Sequence, residues 1–408
     1  MRNAADVVRA DLEYLHHRLR EEWPSLAGRR LLITGGAGFL GYYFTQAATH
    51  FNRSAARADR IDITIFDNLA RGAPPWLDQL RSAGELQLVT HDMRLPLPAD
   101  FGPFDYVIHA ASVASPTYYR ANPVETMDAN VNGLRNLLDY ARTQLETADP
   151  VRGLVFLSSS EIYGDPEPAA IPTPEDYRGF VSCTGPRACY DEAKRFGETL
   201  CTVFAQKYGV ASKIARPFNN YGPGLKINDG RVLPDFARDV LSGRDIVMLS
   251  DGRATRTFCY VADAIAGYYK VLVRGRNGEP YNIGTEAPEI SVRELAARVV
   301  EASGRLFDYR GKVVMQAPQD RNYLVDIRIG AARSSQRPRS RSATTRRSRS
   351  KTGSTERCSG TATTGRPCRS RGPRPRPRGR RPPPDAGLGD RDRLCGARER
   401  RRPLREGP

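Results

Sequence analysis

The sequence predicts an α/β fold with a parallel, doubly wound sheet, a smaller second lobe and a disordered C-terminal tail. Three observations support this prediction: apolar runs alternate with helical segments, a glycine-rich turn follows the first run, and the composition changes abruptly beyond Asp326. Repeated strand–helix units form a parallel sheet with helices on both faces. We therefore expect the ligand at the carboxyl ends of the strands.

The elements follow in order from the N-terminus. Residues 6–19 place apolar side chains at helical spacing, which predicts an amphipathic helix in an N-terminal extension, residues 1–28. Five apolar runs predict the strands, namely Leu31–Ile33, Ile61–Phe66, Tyr106–Ile108, Leu154–Leu157 and Ser212–Ala215. These runs define a first domain, residues 29–217. Turns and separated helices, the clearest at 291–303, then indicate that residues 218–326 form mainly the smaller lobe.

The net charge of +17 would normally indicate a polyanionic partner such as nucleic acid. The charge is concentrated in the tail: residues 327–408 carry 25 of the 63 Lys and Arg residues and 6 of the 46 Asp and Glu residues, so residues 1–326 have a net charge of −2. The tail lacks apolar periodicity, which predicts disorder. A nucleic-acid partner is therefore not expected for the folded part.

Membrane and metal partners are not expected either. The chain has no run of about 18 apolar residues and no signal-peptide pattern, so a cytoplasmic location is predicted. Four of the seven cysteines, Cys183, Cys189, Cys201 and Cys259, lie before the tail. They lack CxxC or Cys/His ligand spacing, which argues against a disulfide framework and a metal site.

The glycine-rich turn, Thr34 to Gly41, has the sequence TGGAGFLG and opens a helix. Its glycines Gly35, Gly38 and Gly41 allow a tight turn, a close approach of the backbone to a pyrophosphate, and close helix packing. The helix N-terminus favours the negative charge. The GxxGxxG spacing is the variant seen in short-chain dehydrogenases, so the first domain is predicted to be a Rossmann-like NAD-binding domain.

Asp67 closes the second strand, where a carboxylate accepts hydrogen bonds from the adenosine ribose and repels a 2′-phosphate. This favours NAD, while the nearby Arg71 keeps NADP as an alternative. Asp92 can reach the adenine amine, although a loop aspartate often only stabilises a turn. The predicted cofactor-binding set is Gly35, Gly38, Phe39, Leu40, Gly41, Asp67, Asn68, Asp92, Met93, Ala110, Ala111, Ser112, Tyr190 and Lys194.

Tyr190 and Lys194 are four residues apart, which places both side chains on one face of a helix. A phenol is a poor base at neutral pH, but a neighbouring ammonium stabilises the phenolate. Upstream, the segment SSSEIYGD supplies Ser159, Ser160 and Glu161 at a strand end. Hydroxyls there can bind a sugar oxygen, and a carboxylate can transfer protons; the alternative is that these residues cap the turn.

Taken together, these segments resemble the UDP-glucuronate decarboxylases (UDP-xylose synthases), of the extended short-chain dehydrogenase type, over residues 29–326. The matching motifs are TGGAGFLG, SSSEIYGDPEP, GPRACYDEAKR, ARPFNNYGP, NDGRVLPDF and TRTFCYVAD. The resemblance implies a catalytic set of Ser159, Ser160, Glu161, Tyr190 and Lys194. It also implies a substrate-binding set of Arg187, Asn219, Arg231, Val232 and Arg256, with Arg187 on the substrate carboxylate and others near the UDP diphosphate.

The resemblance further implies a reaction and an assembly. Tyr190 would deprotonate the sugar C4 hydroxyl as NAD accepts hydride from C4. Carbon dioxide would then leave the UDP-4-keto sugar, C5 would be protonated, and the hydride would return to C4, so NAD ends each turnover unchanged. A homodimer is also implied.

Three other functions remain open at this stage. A sugar-nucleotide dehydratase of this fold usually has Asp before the glutamate, where this chain has Ser160, and a UDP-glucuronate 4-epimerase usually lacks the glutamate at Glu161. From a different class, the basic tail would suit an RNA-binding protein built on an inactive dehydrogenase body.

The tail itself departs from the family, whose members continue with an Arg-Arg-x-Pro element and two helices. Codons shifted by one base from residue 327 onward permit the string HPDRRCPELSKA, one ambiguous position, and then EQVGYDPAVAVEDGLDRALLWYR. We therefore hypothesise a frameshift near Asp326, in the gene or in its recorded sequence. In the family an arginine of the missing element lies near the substrate, and neither Arg328 nor Arg333 has a matching context.

Overall fold

The structure, a computed structural model, describes residues 3–316. The helices are α1 Ala4–Arg18, α2 Trp23–Leu26, α3 Phe39–Ser54, α4 Pro75–Ser82, α5 Pro116–Ala121, α6 Pro123–Gln144, α7 Ala188–Tyr208, α8 Val232–Leu241, α9 Val261–Arg274 and α10 Val292–Phe307. The strands are β1 Arg30–Thr34, β2 Asp62–Asp67, β3 Gln87–Thr90, β4 Tyr106–His109, β5 Gly153–Leu157, β6 Ser212–Pro217, β7 Asn220–Tyr221, β8 Ile246–Met248, β9 Thr255–Thr257, β10 Cys259–Tyr260, β11 Pro280–Ile283, β12 Glu289–Ser291 and β13 Val313–Met315.

Seven parallel strands form the main sheet, in the order β11-β6-β5-β4-β1-β2-β3. This confirms the predicted doubly wound fold. All five predicted strands are present. Their mainly apolar composition is expected, because helices cover both faces of the sheet. The strand order reverses between β1 and β4, and a ligand crevice opens at the carboxyl ends of the strands at such a reversal.

Two apolar layers enclose the sheet. On one face, α1, α3 and α9 contribute Leu15, Phe44 and Tyr269 to a single buried cluster. On the other face, α6 and α7 contribute Leu137 and Phe204. The helices thus fix the strand ends from both sides, which gives the crevice rigid walls.

The N-terminal extension is held to the first layer by its apolar face and by polar contacts. The Asp11 carboxylate accepts hydrogen bonds from the hydroxyls of Tyr43 and Tyr260, both at 2.7 Å. Asn3 caps α1 by accepting from the Asp6 amide. The helix predicted over residues 6–19 is therefore present, and it packs against α3 and α9.

A smaller apolar cluster lies outside the main sheet and joins α8, α10 and β8 through Phe236, Ile246 and Leu295. The predicted helix at 291–303 is α10, with Ser291 as its N-cap. Within residues 218–326, α9 and β11 belong to the main sheet rather than to this lobe. The division at residue 217 remains a prediction.

The predicted tail, residues 327–408, and the proposed frameshift lie outside the described residues. Resequencing the DNA around codon 326 tests the frameshift, and an unbroken frame through the present tail would contradict it. Among residues 3–316, no helix has the length and apolarity to cross a bilayer. The same residues contain no cluster of three or more His, Cys, Asp or Glu side chains suited to a metal ion.

Candidate active site

A cavity of about 1810 Å³ opens at the carboxyl ends of the main-sheet strands. It runs from the glycine-rich turn and the ends of β2 and β4, past the serine-rich segment after β5, to the lobe residues that precede α8. This is the edge of the sheet at which the sequence predicted the ligand.

The glycine-rich turn lies at one end of the cavity. Gly35 has a φ of +71°, and a Cβ there would lie 2.6 Å from the amide nitrogen of Ala111. A Cβ on Gly41 would lie 2.5 Å from the carbonyl oxygen of Gly35, whereas one on Gly38 would meet only that oxygen, at 3.2 Å. Gly35 therefore allows the tight turn, Gly41 allows α3 to pack closely on it, and Gly38 leaves an open space above the N-terminus of α3.

Asp67 ends β2 beside this turn. Its carboxylate accepts hydrogen bonds from the amides of Ala37, at 3.0 Å, and Leu69, at 2.8 Å. Burial raises the pKa of Asp67, and these two amides act in the opposite direction. The carboxylate thus stabilises the glycine turn through the Ala37 amide, and it also lines the cavity.

Asp92 lies on the next loop, where it pairs with Arg94 at 2.7 Å and accepts a hydrogen bond from Asn68. The bond from Arg94 lowers the pKa of Asp92 to about 2. Asp92, Asn68 and the buried Met93 all line the cavity beyond β2 and β3.

The residues after β4 complete the cofactor side. Ala110 and Ala111 lie opposite the glycine turn, and the amide of Ala110 donates to the Thr34 carbonyl at 3.1 Å. The Ser112 hydroxyl oxygen is buried and has no hydrogen-bond partner among residues 3–316. A buried polar atom without a partner beside an open helix N-terminus fits a bound dinucleotide.

Ser159, Ser160 and Glu161 form a tight 3-10 turn directly after β5. The Ser159 hydroxyl oxygen accepts a hydrogen bond from the Glu161 amide at 3.2 Å, so Ser159 caps the turn, and all three residues line the cavity. The Glu161 carboxylate forms an ion pair with Arg187. Ser159 therefore caps the turn and lines the cavity at the same time, so the two interpretations of this segment do not exclude each other.

Tyr190 and Lys194 lie on α7, both buried. Burial raises the pKa of Tyr190, as do Glu161 and Asp191, whereas the hydrogen bond with Ser159 and the charge of Arg231 lower it. Burial also lowers the pKa of Lys194 to about 7. The Lys194 ammonium donates to the Leu157 carbonyl at 2.6 Å. Lys194 is not among the groups that shift the pKa of Tyr190, in contrast to the expectation from the sequence, and Ser159 and Arg231 supply the interactions that favour phenolate.

Arg187 precedes α7 and brings its guanidinium between two carboxylates. It pairs with Glu161 and lies 3.5 Å from Asp191. The resemblance implied that Arg187 binds the substrate carboxylate, and the structure places it beside Glu161 at the start of the helix that carries Tyr190.

The lobe side of the cavity carries the remaining predicted residues. Asn219 donates to the Thr257 carbonyl at 3.0 Å, and Arg231 pairs with the buried Asp229. Arg231, Val232, Asn219 and Arg256 all line the cavity. All predicted site residues line the cavity except Lys194. The Lys194 Nζ lies 5.7 Å from the centroid of the Tyr190 ring.

Two residues that contact the site residues, Tyr119 and Asp229, were not predicted from the sequence. The Tyr119 ring stacks on Tyr190 with centroids 5.1 Å apart, and no spacing in the sequence indicates this. Asp229 binds both Arg231 and Arg71. Asp229 stands in the motif NDGRVLPDF, so a signal for it was present.

Comparison with known proteins agrees with this geometry. The sequence profile of the NAD dependent epimerase/dehydratase family matches residues 31–284, and the chain belongs to this family. NAD is accordingly its cofactor. Within the family, the chain is 36% identical over 292 residues to UDP-glucuronic acid decarboxylase 3 of Arabidopsis thaliana, covering 71% of this chain and 79% of the relative.

A vertebrate relative and a solved structure are also similar. UDP-glucuronic acid decarboxylase 1 of Xenopus tropicalis is 34% identical over 307 residues, which cover 73% of this chain and 68% of the relative. UDP-glucose 4-epimerase of Thermotoga maritima, solved with UDP-glucose, is 23% identical with a TM-score of 0.62, covering 75% of this chain and 90% of the epimerase. The epimerase supports the fold, and the decarboxylases confirm the resemblance identified from the motifs.

Proposed function

We propose that the protein decarboxylates UDP-glucuronate to UDP-xylose through a UDP-4-keto sugar. The observation that carries this proposal is the convergence of Glu161, Arg187 and Tyr190 at one end of the cavity, in a chain related to UDP-glucuronic acid decarboxylases. A base for a sugar hydroxyl, a cation for a carboxylate and a carboxylate for proton transfer are the groups that this reaction needs.

NAD would be held by the glycine turn, Asp67 and Ser112, and when bound it supplies the acceptor that takes the C4 hydride and afterwards returns it. The pairing of Arg71 with Asp229 supports NAD over NADP, because that guanidinium is already engaged. The remaining chemistry belongs to the side chains of this chain.

The Tyr190 phenolate takes the proton of the C4 hydroxyl and becomes a phenol, and the hydrogen bond with Ser159 favours the phenolate that starts this step. The resulting C4 ketone lies β to the C6 carboxylate, so the electrons of the breaking C5–C6 bond pass into an enolate as carbon dioxide leaves. Arg187 orients the carboxylate, and Glu161 passes a proton from solvent water to C5. When the C4 ketone is reduced, Tyr190 returns its proton to the C4 oxygen. Arg231, Asn219 and Arg256 hold the UDP diphosphate, with Val232 beside them.

The decisive experiment incubates the purified protein with UDP-glucuronate and NAD, once with the present tail and once with the frame restored. Release of carbon dioxide together with UDP-xylose is expected. Formation of UDP-galacturonate without gas would contradict the proposal and support a 4-epimerase. No reaction, combined with tight RNA binding that weakens with salt, would support the RNA-binding alternative.

Exchange of Gly38 for alanine is expected to weaken NAD binding at least about tenfold while leaving the fold intact. The added methyl group would occupy the open space above α3, where the pyrophosphate approaches, and would meet only the Gly35 oxygen. NAD titration and thermal unfolding measure the two effects. Gly41→Ala is the contrasting variant, because its 2.5 Å clash should lower the unfolding temperature; equal NAD affinity in G38A and wild type would contradict the assignment.

We also propose a homodimer that uses α6 and α7. These helices pack on each other and carry exposed apolar side chains, namely Val124, Met127, Phe196 and Val203. A second copy would cover them in a bundle of helices. Sedimentation equilibrium tests this, and a monomer at all concentrations would contradict it.

A further inference from the structure

Three segments that line the cavity are joined at one residue, Asp229, through its buried carboxylate and its backbone carbonyl. Asp229, in the loop before α8, has a side chain only 4% exposed and lies 3.4 Å from Arg71, in the loop after β2. Its other oxygen pairs with Arg231. Its carbonyl accepts a hydrogen bond from the Ser115 hydroxyl, at the start of α5, at 2.5 Å.

Arg71 is held from further directions. Its guanidinium lies 4.4 Å from the centroid of the Tyr118 ring, and its carbonyl accepts a hydrogen bond from the Lys226 ammonium at 2.7 Å. Gly230 packs so closely on α5 that a Cβ there would lie 2.5 Å from the Thr117 hydroxyl. The loop after β2 and the loop before α8 are therefore joined by two polar contacts and share α5 as a base.

This junction lies next to the cofactor side of the cavity. The loop that carries Arg71 begins at Asp67 and Asn68, and Arg71 and Asp229 line the same cavity as the glycine turn. Opening the Arg71–Asp229 contact would remove one of the two polar contacts that join the loop at the predicted ribose site to the loop before α8. The contact thus bridges the two sides between which a dinucleotide would have to leave.

We propose that the Arg71–Asp229 pair is a latch that slows the release of NAD. The purpose of the latch rests on the proposed function, since a hydride taken from C4 must return to C4, and loss of the cofactor in mid-turnover would strand the ketone. Both are positioning residues, because they act through the loops. Asp229 additionally orients Arg231 toward the substrate.

The test measures NAD release from the full-length protein without substrate, so it is independent of decarboxylation. The protein is first loaded with labelled NAD, and the bound label is counted after gel filtration. The dissociation rate is the rate at which this label is lost when excess unlabelled NAD is added. Arg71→Gln and Asp229→Asn are each expected to speed release about fivefold to tenfold. The double variant should be no faster than the faster single variant, because the same contact is lost.

Arg274 and Glu22 provide a matched control pair outside the cavity. Arg274 is 39% exposed and Glu22 is 2% exposed, against 38% and 4% for Arg71 and Asp229. R274Q and E22Q should leave NAD release unchanged, and thermal unfolding checks that all variants fold.

Three results would overturn the latch. Unchanged release in folded R71Q is the first, and additive effects in the double variant are the second. The third is a change in NADP affinity alone, which would make Arg71 a specificity residue. A failed decarboxylation assay with fast release in R71Q would leave the latch standing and refute only the proposed reaction.

Discussion

Tyr190→Phe is expected to lower kcat for carbon dioxide release by about 10²- to 10⁴-fold, since it removes the hydroxyl of the proposed acid/base. The phenylalanine ring keeps the stacking on Tyr119, at 5.1 Å between centroids, and the buried position on α7. The lost hydroxyl is the one that hydrogen-bonds Ser159. Thermal stability should therefore change little while the chemical step nearly stops.

The measurement is single-turnover formation of UDP-xylose with NAD content checked in the same sample. Tyr208→Phe is the matched control, because Tyr208 ends the same helix, packs on Phe204 and lies outside the cavity. Its activity should equal that of the wild type. A Y190F variant that keeps more than about a tenth of kcat would show that another group takes the C4 proton.

Glu198→Gln is expected to cost about 3–5 kcal/mol of the free energy of unfolding. Glu198 lies one turn after Lys194 and accepts two hydrogen bonds from Arg216, at 2.6 and 2.9 Å, and one from the Ser158 hydroxyl at 2.6 Å. The side chains of Arg216 and Glu198 are 7% and 12% exposed. Removing the carboxylate charge leaves a guanidinium buried without its counterion.

Denaturant unfolding of the purified variants measures this cost. Glu301→Gln breaks an ion pair with Arg305 whose side chains are 66% and 71% exposed, and it should change stability by less than about 0.5 kcal/mol. Replacing both partners together, as Glu198→Leu with Arg216→Met, should recover much of the loss, because no uncompensated charge remains. Wild-type stability in E198Q would refute the argument.

The Glu198–Arg216 pair also concerns the site, because it connects two of its segments. Ser158 adjoins Ser159, and Arg216 donates to the hydroxyl of Tyr163 at the end of the 3-10 turn. The pair therefore joins the serine-rich segment to the helix that carries Tyr190 and Lys194. We therefore expect the E198Q variant to lose activity to the same extent as it loses folded structure.

Local patterns in the sequence were sufficient for most of the fold. The five predicted strands are mainly apolar segments, as expected when both faces of a parallel sheet are covered. Two strands of the main sheet were missed: β3 is short and only partly buried, and β11 begins with Pro280 and has no apolar run. Their place is decided by hydrogen bonding to β2 and β6, which local composition does not encode.

The sequence by itself determined the doubly wound fold, the three glycine positions and the pairing of Tyr190 with Lys194 on one helix. These depend on spacings of a few residues, and such spacings fix which side chains share a turn or a helix face. Only the tertiary structure decided how these groups act on one another. Glu161 and Arg187 are 26 residues apart, and Arg71 and Asp229 are 158 apart. Their pairing, and the burial that shifts the pKa values of Tyr190 and Lys194, arise from packing of distant segments, which exclude water and bring the charges together.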